Sequence, residues 1–143
     1  MNAVMIHTQE ELDAAVAAHP KWWHEVGDTD GKWIIARDGA CVRARAGARI
    51  GAVSDSRVYA HAGSEVNAYA GSEIYAHNGS KVAAHAGAGV MAHGRSRVYA
   101  YDGSWVTAYG GAHVVAFSGS QIVARKGSQV EAAAGSYVKE VKS

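Results

Sequence analysis

Residues 63–78 read Gly-Ser-Glu-Val-Asn-Ala-Tyr-Ala-Gly-Ser-Glu-Ile-Tyr-Ala-His-Asn, which is one eight-residue unit written twice. The unit is Gly-Ser-x-Val-x-Ala-x-x, and fourteen copies follow one another without insertion or deletion from Gly31 to Lys142. Its fourth position is Val or Ile in every copy, and its sixth is Ala in all copies but the last, which has Glu140. A fixed short period of this kind predicts a repeat architecture.

Small and variable residues alternate within each unit. The second position is Ser or Ala in every unit after the first, which has Lys32; the fourth is Val or Ile, and the sixth is Ala except at Glu140. The third, fifth and seventh positions vary, and many of them are charged, aromatic or polar residues. Because successive side chains of a strand point to opposite faces, this pattern predicts one short strand per unit, with Val and Ala inside. Glycine opens all units except those at Asp55 and Arg95, and it supplies the freedom that a corner needs. Stacked units of this kind predict an all-β fold, a parallel β-solenoid.

A coil could hold 16 residues in two strands or 24 residues in three. Small interior residues suit two sheets that face each other across a thin core, and a period of 16 also places like residues above one another. The seventh positions of one sheet then read Arg45, His61, His77, His93, Tyr109 and Arg125, and those of the other read Tyr69, His85, Tyr101 and Phe117. We therefore favour 16 residues and keep 24 as the alternative. Seven coils at a strand spacing of about 4.8 Å predict a rod roughly 34 Å long.

The residues before the repeat predict a cap for the first coil. Thr8 and Glu11 match a capping box, and the apolar stripe that follows ends at Pro20, so a short α-helix is expected there. Trp22 and Trp23 come next and are predicted to plug the first coil. The chain thus divides into an N-terminal helical cap and linker over 1–30 and an octad-repeat β-solenoid over 31–143.

Composition narrows the classes of partner. The formal net charge of +1 provides no global field that favours nucleic acid or an anionic membrane, so neither is expected as a partner. No apolar run approaches the roughly 20 residues of a membrane span. The first residues lack the basic and apolar regions of a signal peptide, which predicts the bacterial cytoplasm or a phage virion as the location. The single Cys41 faces outward by its repeat position and has no partner for an internal disulfide.

The histidines of one sheet are the sharpest candidate site. His61, His77 and His93 follow one another at the same repeat position. Imidazoles stacked at strand spacing point in parallel, whereas zinc needs ligands that converge on one point, so no metal is expected. The favoured interpretation is an aromatic ladder on a solvent-facing sheet. A further interpretation is a pH-sensitive surface, because histidine changes its charge near pH 6.5.

Outward aromatic side chains form a second candidate site. Exposed apolar patches commonly mark contact surfaces, where tyrosine is enriched. The simpler interpretation is that neighbouring rings stack across strands and only stabilise the sheets. We favour contact with another protein or with a second copy, and therefore expect a homo-oligomer or a protein partner. The predicted interaction face consists of Tyr59, His61, Tyr75, His77, Met91, His93 and Tyr109 on one sheet and of Tyr69, His85, Tyr101 and Phe117 on the other.

Basic residues cluster over the first coils, and they could contact phosphate. Without interleaved aromatics or a nucleic-acid-binding fold, a solvated face is the favoured interpretation. The cluster consists of Arg37, Arg43, Arg45, Arg49 and Arg57.

No catalytic constellation is apparent. The sequence has no phosphate loop, no Ser-His-Asp set with plausible spacing and no paired carboxylates in a predicted cleft. A narrow interior of Val and Ala also leaves no room for a substrate. We therefore expect no enzyme activity and no cofactor.

The Gly-Ser-x-Val-x-Ala octad over 31–142 resembles the repeats of bacterial ice-nucleation proteins, in which two octads make a 16-residue coil. It also resembles octad tracts of bacterial and bacteriophage proteins, which are often preceded by a short helical segment. Ice-nucleation proteins carry regular outward Thr-x-Thr rows, whereas the only outward Thr of this repeat is Thr107. The second resemblance implies a virion or other assembly component of a phage.

Together these observations predict a non-enzymatic structural or interaction protein, a repeat scaffold that binds another protein or itself through flat outer sheets. The alternative is a surface that binds ice or a polysaccharide, on which exposed Tyr rings would stack against sugars.

Overall fold

Two parallel β-sheets lie face to face across a thin core. The computed structural model describes residues 5–37 and 39–141. It is an all-β parallel β-solenoid of about seven turns, with 16-residue coils, two strands per coil and one short N-terminal helix. The predicted fold class and the predicted 16-residue coil are therefore confirmed, and the 24-residue alternative is excluded.

One helix and fifteen short strands make up the described chain. Their bounds are α1 Gln9–Ala18, β1 Trp23–Val26, β2 Ile34–Ala36, β3 Cys41–Ala44, β4 Arg49–Ala52, β5 Arg57–Ala60, β6 Glu65–Ala68, β7 Glu73–Ala76, β8 Lys81–Ala84, β9 Gly89–Ala92, β10 Arg97–Ala100, β11 Trp105–Ala108, β12 His113–Ala116, β13 Gln121–Arg125, β14 Gln129–Ala132 and β15 Tyr137–Val141. The strand β1 precedes the first repeat unit, and it already pairs with β3.

The chain alternates between the two sheets. The odd-numbered strands form sheet A in the order β1-β3-β5-β7-β9-β11-β13-β15, and the even-numbered strands form sheet B in the order β2-β4-β6-β8-β10-β12-β14. Neighbouring strands of the repeat are paired without slippage, as in Val58 opposite Ile74 and Tyr59 opposite Tyr75. Equivalent positions of the unit therefore form straight rows along the solenoid axis. Counting from the glycine as position 1, rows 2, 4 and 6 face inward and rows 3, 5 and 7 face outward.

The inward rows form one continuous core. Every row 4 residue from Ile34 to Ile122 is at most 3% exposed, and the Ala residues of row 6 beside them are also buried. Burial is lost in the last coil, where Val130 and Val138 are only half-buried and Glu140 is exposed. The predicted inside and outside of the repeat are thus confirmed.

Each corner is a tight turn that needs a left-handed residue. At the corner before β6, the backbone N–H of Ser64 donates to the carbonyl of His61 over 3.0 Å, and Gly63 has a φ of 82°. The hydroxyl of Ser64 donates to the same carbonyl over 2.6 Å. This arrangement satisfies a polar group inside the core, and it explains why most units have Gly at the first position and most have Ser at the second.

Two corners depart from this geometry because their units lack the glycine. At one, Ser54 and Asp55 take φ values of 47° and 64°; at the other, Gly94 takes the positive φ in place of Arg95. The buried hydroxyls of Ser56 and Ser96 at these corners have no hydrogen-bond partner.

The helix α1 closes the first coil. Thr8 caps it by accepting a hydrogen bond from the N–H of Glu11 over 3.2 Å, and Leu12 is buried against the core. The prediction that Trp22 and Trp23 plug the coil is wrong. Trp22 is 51% exposed and stacks on His19, while Trp23 begins β1 and lies on the outer face. The alternation of β1 turns His24 and Val26 inward instead, and this places Trp23 outside.

Candidate interaction surfaces

An unbroken ladder of aromatic rings runs along row 7 of sheet B. Ring centroids lie 4.8 Å apart from Tyr69 to His85, 5.1 Å from His85 to Tyr101 and 4.9 Å from Tyr101 to Phe117. The ring planes deviate by at most 7° from parallel. These four predicted residues are therefore brought together as one rigid row.

A second ladder occupies row 7 of sheet A. Successive centroids from His61 to His77 and from His77 to His93 are 5.6 Å apart, and Tyr109 follows His93 at 4.3 Å. The Arg125 guanidinium lies 5.2 Å from the centroid of the Tyr109 ring. The predicted histidine ladder exists in this geometry.

Row 5 of sheet A lies beside the histidine ladder and is also aromatic. Tyr59 and Tyr75 stack at 4.8 Å, and Met91 occupies the next rung. The ring of Trp23 contacts Tyr59 at 4.7 Å. Sequence reasoning missed Trp23 because it precedes the repeat, so the 16-residue period could not place it; the alternation of Trp23–Val26 was the available signal.

The stacking decides which part of each ring can meet a ligand. In both ladders the face of one ring lies against the face of the next, at angles of 16° or less. Interior rings of a ladder therefore present their edges and polar atoms outward, and their faces are occupied. For the predicted stacking of sugars on exposed Tyr rings, the interior Tyr101 therefore has no free face, whereas Tyr69, at the end of its ladder, stacks on a ring through one face only.

Other aromatic side chains are not in these ladders and are far more exposed. Trp105 and Tyr137 in row 3 of sheet A are 64% and 71% exposed. Gln121 lies between them, because it pairs with Trp105 on one side and with Tyr137 on the other. On the opposite side of Trp105 the neighbour is Gly89, which leaves open space beside the ring. The 16-residue period already places these residues in one row, but the predicted interaction face was chosen from rows 5 and 7 only.

The predicted basic cluster is divided between the two sheets and largely paired. Arg49 lies 3.6 Å from Glu65 on sheet B, and Arg57 lies 3.4 Å from Glu73 on sheet A. Arg45 forms an ion pair with Glu25. Since these cations already have carboxylate partners, the cluster does not form one phosphate-binding patch.

Two histidines of the sheet A ladder have perturbed acidity. Burial lowers the pKa of His93 below its usual value, and neighbouring His77 lowers it further. Burial also lowers the pKa of His61, with smaller contributions from Arg45, His77 and Arg43 in that order, while Glu25 opposes the shift. Both shifts favour the neutral imidazole.

The described residues show few features typical of catalysis or cofactor binding. Within 5–37 and 39–141, no group of three or more His, Cys, Asp or Glu side chains could hold a metal ion. One shallow depression on sheet A is lined by Trp23, Arg43, Arg45, Tyr59, His61 and His77. In the same part of the chain, no helix has the length and apolar character that crossing a membrane requires.

Comparisons with models of protein families, with curated proteins and with solved structures found no match for this chain. The resemblance to octad proteins of bacteria and phages therefore stays a prediction.

Proposed function

We propose that this protein is a non-enzymatic scaffold whose two flat outer sheets serve as protein-contact surfaces. Its partner is another protein or a second copy of the chain, and its setting is a phage virion or another bacterial or phage assembly. The ordered aromatic rows on both faces carry this proposal.

The aromatic rows suit contact because they are rigid before a partner arrives. Each ladder ring stacks on at least one neighbouring ring at 4.3 to 5.6 Å, and the interior rings stack on two, so little side-chain freedom remains to be lost on binding. Ring edges with hydroxyl and imidazole groups combine apolar area with hydrogen-bonding atoms, which is typical of interface residues.

The pairing of the strands does not require a ring at an outward position, since only the inward rows and the corners are nearly constant in the repeat. Row 5 of sheet B contains Gly, Asn and Ala as well as Tyr and Val, and the strands pair equally well throughout. Sheet B nevertheless exposes several large apolar side chains, namely Trp33, Ile35, Tyr69, Tyr99, Tyr101 and Phe117. Exposed apolar groups gathered on one face are typical of a contact surface.

Site-specific photo-crosslinking in bacterial cells tests the proposal. A photoreactive phenylalanine analogue replaces Tyr75 on sheet A or Tyr101 on sheet B, and the matched control carries it at the exposed corner residue Ala86. We expect crosslinked protein from both faces and little from the corner. Equal yields at faces and corner, or none at any of the three positions, would contradict the proposal.

Polysaccharide binding is a second candidate, and the row of Trp105, Gln121 and Tyr137 favours it. The two aromatic residues are two strands apart, about 9.6 Å at ordinary strand spacing. This distance is close to the length of a disaccharide, and Gln121 between them offers both a donor and an acceptor.

A glycan array with wild type and a Trp105→Ala variant separates this candidate from the first. Trp33→Ala is the control, since it removes an exposed Trp from the other sheet. Loss of glycan signal in Trp105→Ala alone would support the candidate, and absence of signal in wild type would exclude it. Ice binding is checked by thermal hysteresis, which we expect to be absent because Thr107 is the only outward Thr of the repeat.

A further inference from the structure

A shallow depression of about 330 Å³ lies on sheet A over the first coils. The rings of Trp23 and Tyr59, which meet at 4.7 Å, contribute its apolar surface. Every lining side chain carries an N–H or O–H group that can donate a hydrogen bond, and none is acidic. Such a lining suits a negatively charged group. The lining residues are Trp23, Arg43, Arg45, Tyr59, His61 and His77.

The two arginines of the depression differ in their partners. The Arg45 guanidinium forms an ion pair with Glu25. Glu25 is the strand neighbour of Arg43, yet within residues 5–37 and 39–141 no carboxylate lies within 4.0 Å of the Arg43 guanidinium. The Arg43 side chain is exposed, and its guanidinium lies 5.8 Å from the centroid of the Trp23 ring. The depression therefore retains one guanidinium without a neutralising partner in the described part of the chain.

A second pair of arginine and tryptophan, on sheet B, shows what the first one lacks. The Arg49 guanidinium lies 5.9 Å from the centroid of the Trp33 ring, nearly the same distance as between Arg43 and Trp23. Arg49 also has the carboxylate of Glu65 at 3.6 Å. A carboxylate from another molecule would complete the Arg43 pair in the same way.

The histidine ladder reports a positive potential at the depression. Burial lowers the pKa of His61 most, and Arg45 and Arg43 lower it further. Each arginine outweighs the opposing effect of Glu25. For His93, in the same row of sheet A, burial and a neighbouring histidine lower the pKa, and no arginine contributes. The potential that disfavours a charged imidazole at His61 favours an anion beside it.

We propose that this depression receives an acidic side chain, Asp or Glu, of the partner protein, and that its carboxylate accepts hydrogen bonds from the Arg43 guanidinium. This inference rests on the proposed function and specifies the chemistry of the partner. A guanidinium presents paired N–H groups in a planar fork that fits both oxygens of a carboxylate. The rings of Trp23 and Tyr59 exclude water from the ion pair once the interface closes, and this strengthens the attraction.

The size and openness of the depression favour a side chain over a free small ligand. Ligand pockets have volumes of about 300–1,000 Å³ and enclose most of the ligand's surface. The depression lies at the lower end of this range and is shallow, so it cannot enclose a free ligand in this way. A side chain of a partner needs no enclosure, because the rest of the interface holds it in place and reduces the freedom that it loses on binding.

A titration of the full chain followed by NMR tests the site without the partner. The probe is N-acetylglutamate α-amide, and its neutral control is N-acetylglutamine α-amide. Each is added up to about 100 mM at constant ionic strength, because one side chain alone binds weakly. We expect the acidic probe to shift the indole N–H signal of Trp23 and the Nε–H signal of Arg43, and to leave those of Trp33 and Arg49 unchanged. The neutral compound should shift none of them.

Two variants and a competing anion sharpen the titration. Arg43→Gln should abolish the shift of the Trp23 signal, whereas Arg49→Gln, the matched control on sheet B, should leave it unchanged. Circular dichroism melts establish that both variants fold. Inorganic phosphate shows which oxyanion the site prefers. The inference would be overturned by no shift with the acidic probe, by an equal shift with the neutral compound, or by phosphate binding that is tighter by about tenfold or more.

Photo-crosslinking in cells separates this inference from the proposed function. The photoreactive residue at position 75 lies beside the depression, because Tyr75 stacks on Tyr59 at 4.8 Å. Arg43→Gln should lower the crosslinking yield from this position by about tenfold or more, since a hydrogen-bonded charge pair is lost, whereas Arg49→Gln should not change it. An undiminished yield in Arg43→Gln would overturn the inference and leave the proposed function standing. If no position yields a crosslink in wild type, the proposed function fails and the inference fails with it.

Discussion

The inward rows 2, 4 and 6 form the inner wall of the solenoid, and the outward rows 3, 5 and 7 form its outer wall. The two walls differ even between neighbouring residues of a single strand. In β8, Ala83 and Ala84 are chemically identical neighbours, yet Ala84 is fully buried and Ala83 lies on the outer face. Along the axis, Ala84 continues a row of Ala, whereas Ala83 lies in a row that contains Gly51, Asn67 and Tyr99. The difference teaches that the inner wall is fixed by packing, while the outer wall is free to vary and therefore carries the protein's individual properties.

The largest expected effect comes from enlarging the same residue type on the two walls. Ala84→Leu should lower the free energy of unfolding by about 1–3 kcal/mol or more, because the thin core has no space for the added atoms. Ala83→Leu should change it by less than about 0.5 kcal/mol, as is usual for surface sites. Urea denaturation of both variants measures the difference, and equal effects would mean that the two walls are not distinct.

The outer wall can be divided further by comparing two tyrosines at the end of β10. Tyr101 stacks between His85 and Phe117, whereas Tyr99 is in no stacked ring pair among the described residues. Tyr101→Ala should therefore destabilise the protein by about 1 kcal/mol more than Tyr99→Ala, since ring pairs contribute roughly 0.5–1.5 kcal/mol each beyond their buried area. Thermal melts compare the variants. A larger loss in Tyr99→Ala would show that the ladder does not stabilise the sheet.

The sequence predicts the inner wall almost completely, because the residues that determine it lie within one octad and recur in every octad. A period of two, glycine at the corners and Val or Ile at the fourth position specify strand, turn and core. The 16-residue coil was also predictable, since only that period places His61, His77 and His93 on adjacent rungs. These arguments use composition and spacing alone.

The contacts and orientations of the outward side chains could not be predicted, because the repeat pattern does not specify them. Trp23 lies outside the octads, so its contact with Tyr59 could not be predicted from the period. The occupied faces of Tyr101 follow from side-chain orientation, which alternation does not specify.

A third test compares two serines of the inner wall. The hydroxyl of Ser64 donates to the carbonyl of His61 over 2.6 Å, whereas that of Ser56 is buried without a partner at an irregular corner. Ser64→Ala should therefore cost about 0.5–1 kcal/mol, and Ser56→Ala should be neutral or stabilising, because it removes an unsatisfied polar group. Chemical denaturation checks the sign. An equal loss in both variants would indicate that Ser56 forms a hydrogen bond in solution.

The smallest expected effect is the pH dependence of the histidine ladder. Burial and then His77 lower the pKa of His93 in the folded protein, so the unfolded chain binds more protons near pH 6.5. Stability should therefore be constant above this pH and fall as pH drops from about 6.5 to the lower folded pKa. The loss should not exceed about 0.5 kcal/mol, because the rings border solvent.

Two variants and a salt series separate the two causes of that loss. His93→Gln should remove the contribution of His93 entirely, whereas His77→Gln should remove only the part due to charge and leave the part due to burial. In about 1 M NaCl the Debye length falls to about 3 Å, so repulsion between imidazoles whose centroids are 5.6 Å apart is strongly screened. Wild type and His77→Gln should then lose stability in parallel between pH 7 and pH 5, while at low salt the variant should lose less. If the two curves already coincide at low salt, the neighbouring imidazole has no measurable effect and burial alone accounts for the shift.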